Sequence, residues 1–76
     1  MTNQSRSEDI PHPHDAQWYS EQIKSLPVPL QRKAMEGYEL VWLAAYEAED
    51  VEHRRSNAAR RAANIRLREY VEKILG

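Results

Sequence analysis

The spacing of apolar residues after Pro29 restricts this chain more than any other feature. They fall at positions 30, 34, 37/38, 41, 44/45, 48 and 51. That interval is the helical period of about 3.6 residues, not the alternation of a strand. A helix of this kind must bury one stripe against a neighbouring element. The run is preceded by LPVP at 26–29. Each proline there pushes the residue before it out of the helical region, so the material upstream forms a separate element. Pro29 suits the first position of the helix that follows, where its missing N–H leaves nothing unsatisfied.

Upstream, Trp18, Tyr19, Ile23 and Leu26 are the apolar positions of a short helix over about 16–25. Asp15 is its candidate N-cap, because a short carboxylate accepts a backbone N–H of the first turn. Residues 1–14 are polar, contain Pro11 and Pro13 and show no apolar period, which reads as a flexible arm. The middle helix is expected over about 29–50. Gly37 lies inside it at a cost of about 1 kcal/mol relative to alanine, and a close helix crossing would account for that residue. A last helix is expected over about 56–75, with Ser56 as candidate N-cap and Ala59, Ala63, Leu67, Tyr70, Val71 and Ile74 as its apolar face. Between them, EAEDVEHRRS (47–56) contains no Gly or Pro, only weak helix formers, and a turn is expected near 50–56. The alternative is one continuous helix of about forty residues, long for a globular protein and implying a coiled coil or a swapped dimer. The expected fold is therefore all-α: a short N-terminal helix plus an antiparallel helical hairpin, one domain over 15–76 behind an arm at 1–14.

Size makes a partner plausible. With 76 residues and no cysteine, the chain has neither disulfides nor thiolate metal sites. A single core in a chain this short supplies only about 3–5 kcal/mol. The absence of cysteine suits a reducing cytoplasm. No apolar stretch near the N-terminus resembles a signal peptide, and LVWLAA at 40–45 is too short to span a bilayer. The expectation is a cytoplasmic protein with no membrane contact.

Two faces are candidate sites. Projected as a helix, the middle segment has its main stripe through Leu30, Ala34, Val41, Ala45 and Ala48. Met35, Trp42, Leu43 and Tyr46 lie outside it. Either they meet a second neighbour within the chain, such as the first helix, or they form a contact patch for a protein partner, including a second copy. On the last segment, Arg54, Asn57, Arg61, Asn64 and Arg68 follow one another at helical intervals. Arg and Asn are suited to bidentate base contacts in a major groove, so these residues are candidates for nucleic acid or for an acidic partner. Charge weakens the nucleic-acid reading. Residues 1–52 carry four basic and ten acidic side chains and residues 53–76 seven basic and two acidic. An antiparallel hairpin would set the acids of the middle helix beside these arginines, and Arg68–Glu72 and Glu69–Lys73 are spaced as ion pairs.

Catalytic and metal patterns are sparse. His12, His14 and Asp15 are close in sequence, as are Glu49 and His53, but neither group supplies the ligand set of a metal site. There is no Gly-rich phosphate loop, nucleophile elbow or H-E-x-x-H. No cofactor and no catalytic residue is expected.

RRAANIRLREYVEKI (60–74), following LPVPLQRKAMEGYELVW (26–42), resembles helical material in small proteins of temperate tailed phages and prophages. It is also similar to helical segments flanking the catalytic part of phage replication initiators, the rolling-circle endonucleases. The resemblance implies a mobile-element origin and a helical accessory role in replication, regulation or host takeover. It does not extend to nuclease chemistry. Those enzymes pair two histidines on a strand, whereas His12-Pro13-His14 places proline where a strand needs its N–H. The combined expectation is a non-enzymatic, dimeric protein-binding module, an accessory or inhibitor acting on a host or phage protein. The alternative is a DNA-binding accessory protein or regulator.

Overall fold

The computed structural model describes residues 13–76, with side chains from residue 16 onward. Helix α1 spans Pro13–Ser25, α2 Val28–Ala48 and α3 Arg55–Leu75, with a short 3-10 turn at Glu52–Arg54 between the last two. There is no strand among the described residues. The arm expected at 1–14 lies outside them except for Pro13 and His14, which already belong to α1. Asp15 therefore sits inside the helix rather than before it. The fixed φ of Pro13 suits a first helical turn and moves the start upstream.

Contacts across the hairpin pair falling numbers with rising ones. Tyr46 meets Arg55 near the turn, Tyr38 meets Asn64 midway, and Ala34 clusters with Leu67. The two helices are thus antiparallel, each 21 residues long. Near the turn their contact is made by small residues: Ala59 and Ala63 are completely buried. Farther out, Leu67 and Val71 of α3 join Ala34 of α2 and Ile23 and Leu26 of α1 in one cluster, with Trp18, Tyr19, Tyr38 and Tyr70 packed on its edges. Helix α1 closes the open end of the hairpin in this way. Its corner is held locally. The Leu26 N–H donates to the Ile23 carbonyl at 3.1 Å, and the Gln31 side-chain amide donates to the Leu26 carbonyl at 3.0 Å.

Helix α2 starts at Val28, so Pro29 is its second residue and not its first, and the proline after Val28 does not keep that residue out of the helix. It ends at Ala48 because Glu49 turns to extended backbone, φ −80° and ψ 123°. The Glu49 carboxylate then accepts the Val51 N–H at 3.2 Å, and the Arg54 N–H donates to the Val51 carbonyl at 2.9 Å. The chain thus turns at 49–54, and the continuous forty-residue helix is not formed. The 3-10 turn leads directly into α3, which begins at Arg55 without a side-chain cap. Ser56 is its second residue and not its N-cap.

Three other expectations change. Ile74 is 38% exposed, in the last turn of α3 beyond the buried Val71. Ala48, the last residue of α2, is also exposed. Gly37 is not a crossing point: a Cβ built there meets nothing within 4 Å. The close approach of the helices occurs at Ala59 and Ala63 instead.

Candidate interaction surfaces

Of the four residues expected to form a contact patch, two are in direct contact. The rings of Trp42 and Tyr46, one helical turn apart on α2, stack with centroids 5.1 Å apart and planes inclined by 15°. The Arg55 guanidinium stands 5.7 Å from the Tyr46 ring centre. The same side chain donates through Nε to the Glu49 carbonyl at 2.9 Å. Arg55 thus ties the stack to the turn, and a cation over an aromatic face adds about 0.5–1 kcal/mol at an exposed site. Met35 is 41% exposed and lies two turns before Trp42 on the same strip. Leu43 is also exposed, farther round the helix, with Leu40 beside it at 68% exposure.

Trp42 stands outside the cluster that α1 closes. Helix α1 meets α2 instead through Tyr19 and Tyr38, whose rings pack edge to face at 4.8 Å. Burial raises the Tyr19 pKa above its ordinary value, and the nearby Glu39 carboxylate raises it further.

The arginine stripe is divided by the fold. Arg54, Arg61 and Arg68 are exposed. Asn57 accepts a hydrogen bond from Arg60 at 2.6 Å. Asn64 accepts one from the Tyr38 hydroxyl at 2.7 Å, across the hairpin. The two amides are therefore engaged within the chain, and Asn64 joins the helices. Among the described residues the recorded ion pair is Arg32–Glu36 at 3.7 Å, along α2. The acids of α2 do not form ion pairs with Arg54, Arg61 or Arg68 among these residues; packing and the Tyr38–Asn64 hydrogen bond join the two helices. Glu49, His53, Arg54, Asn57 and Arg61 line one depression at the turn.

A second concavity, absent from the residues singled out in the sequence, lies between α2 and α3. It holds about 190 Å³. Its apolar lining comes from Ala34, Val41 and Leu67 with the rings of Tyr38 and Tyr70. Gly37 leaves the α2 side open. Lys33 and Arg66, both exposed, stand on opposite helices at its edge. The only sequence signal for it was the glycine in mid-helix. Arg55 was likewise not singled out, because its role depends on how the turn returns it to Tyr46.

His12 and the side chains of His14 and Asp15 lie outside the described residues. Among the described residues no group of three His, Cys, Asp or Glu is placed to hold a metal ion, and no helix is long and apolar enough to cross a membrane. Comparison with protein-family models, curated proteins and solved structures finds no match to this chain.

Proposed function

We propose that the chain is a non-enzymatic helical protein-binding module whose docking surface is the outer side of α2. The observation that carries this reading is the Trp42–Tyr46 stack, bracketed by Arg55 and flanked by exposed Met35 and Leu43. Stacked rings held in place before binding lose little side-chain freedom when a partner covers them, which is why aromatic anchors dominate interface energetics. Fully burying an apolar side chain of the size of Leu or Met contributes about 1.5–3 kcal/mol. That is comparable with what so small a core supplies on its own. Covering this side of α2 would therefore stabilise the fold as well as the complex, and a second copy of the chain is the first partner expected. The resemblance of residues 26–42 and 60–74 to helical material of temperate phages supports a phage or prophage accessory or inhibitor role, exerted in the cytoplasm of the host cell.

Light-scattering mass across a concentration series tests self-association. The native chain is expected at dimer mass, and Leu43→Glu at monomer mass with unchanged far-UV circular dichroism. A native chain that stays monomeric at every concentration rejects self-association. A photo-reactive residue at position 43 that forms no adduct in host lysate, with purified dimer also absent, rejects the protein-binding reading itself.

A second reading rests on Arg54, Arg61 and Arg68, which are exposed and carry no ion pair among the described residues. They support contact with nucleic-acid phosphates rather than base readout, since Asn57 and Asn64 are already hydrogen-bonded. Titration against labelled duplex and single-stranded DNA at low and rising salt, with Arg61→Glu/Arg68→Glu alongside, decides it. Binding that falls steeply with salt and vanishes in the variant would establish the basic face as a phosphate-binding surface.

A further inference from the structure

The groove between α2 and α3 is separate from the Trp42 side of α2, and its lining has a definite chemistry. The floor is aliphatic and aromatic, from Ala34, Val41, Leu67 and the two tyrosine rings. The edge carries one cation from each helix, Lys33 and Arg66, and among the described residues no carboxylate takes part in the lining. Neither cation is held in an ion pair among the described residues. The volume of about 190 Å³ is below the range of about 300–1,000 Å³ in which small-molecule pockets fall. It matches a single large side chain. Gly37 is the second observation. It weakens the helix in which it sits, no atom of the described residues stands within 4 Å of a Cβ built there, and that space belongs to the groove. Glycine at such a point lets another backbone or side chain approach closely.

We propose that this groove binds a peptide segment of a partner protein in which one large aliphatic residue is flanked by carboxylates. The aliphatic side chain enters between Tyr38 and Tyr70 beside Gly37, and the carboxylates pair with Lys33 and Arg66. Charge complementarity selects this partner: a segment flanked by lysines would meet like charge on both helices, and such juxtaposition suppresses wrong partners. The inference does not depend on the docking role of the outer side of α2.

Gly37 supplies the reporter, since the chain has two glycines and the other is the terminal Gly76. The full-length protein is titrated with a short synthetic peptide bearing one Leu between glutamates, and amide correlation spectra are recorded. Controls replace the glutamates by lysines, or the Leu by Ala. The Gly37 amide is expected to shift and saturate with the glutamate peptide only. Lys33→Glu/Arg66→Glu should weaken binding about tenfold, the size expected when two exposed ion pairs become like-charge contacts. Gly37→Leu, which fills the groove from a helix position that tolerates leucine well and removes the glycine reporter, is followed instead at the Tyr38 and Leu67 amides of the same lining: the peptide-induced shifts that the native chain shows there should be lost while the helical spectrum is kept. No Gly37 shift, or an equal shift with the lysine peptide, overturns the proposal. A concentration-dependent Gly37 shift without peptide assigns the groove to a second copy and also overturns it. A shift confined to the Trp42 indole N–H leaves the outer side of α2 as the binding surface and rejects the groove.

Discussion

Replacing Gly37 by alanine separates what the helix prefers from what its surroundings demand. Gly37 lies in the middle of a 21-residue helix with a negative φ that alanine adopts freely. The added methyl would meet no atom of the described residues within 4 Å, so no packing term enters from them with either sign. What remains is helix propensity, about 0.8–1.0 kcal/mol in favour of alanine. Part of it comes from the smaller conformational freedom of the unfolded chain. In a domain of this length 1 kcal/mol moves Tm by about 4–8 °C. The assay is thermal unfolding followed by far-UV circular dichroism, at two protein concentrations so that any association is visible. A rise in Tm of that size at both concentrations is expected. An unchanged or lowered Tm would refute the reasoning, because it would mean that the space beside Gly37 is filled in the folded protein. If the loss grew with concentration, the occupant would be a second copy.

Other perturbations test other parts of the structure. Asn64→Ala removes the acceptor of the Tyr38 hydroxyl bond that spans the hairpin, at an expected cost of about 0.5–1.5 kcal/mol, measured as a lowered urea midpoint. Leu67→Ala deletes a side chain 3% exposed in the shared cluster, a change that costs about 2–5 kcal/mol. Against a core worth about 3–5 kcal/mol it should leave a largely unfolded chain, seen as loss of helical circular dichroism at room temperature. Tyr19 has a folded-state pKa above its ordinary 10.0, so the folded protein holds that proton more tightly than the unfolded chain. Its contribution to stability is fully present below about pH 10 and is lost as pH rises through the folded-state value. Urea midpoints of the native chain should fall more steeply over that alkaline range than those of Tyr19→Phe, and parallel curves would contradict the assignment.

The sequence by itself determined what depends on period and on local backbone chemistry. Apolar spacing alone marks three helices, because a buried stripe on a helix must recur at its own period whatever it packs against. Pro27 separates α1 from α2 through a steric restriction on the residue before it, Leu26. The apolar face read for the last helix contains Ala59, Ala63, Leu67 and Val71, its four buried residues, since a stripe along one helix is visible in one dimension. The candidate patch was legible to the extent that Trp42 and Tyr46 are one turn apart.

Tertiary structure decided what depends on register and on returning chain. The end of α2 falls where Glu49 turns to extended backbone and its carboxylate accepts the Val51 N–H, with no Gly or Pro to mark the place in the sequence. Asn64 became a link between helices rather than part of a basic stripe because the register sets it against Tyr38. Arg55 reached Tyr46 only because the turn brings it back. Gly37 looked like a crossing and proved to be the open wall of a groove. Helical spacing says which side chains share a face of one helix. Which residues of two helices meet, and where the space between them is left empty, is set by their relative rotation and offset, and these belong to the packed pair.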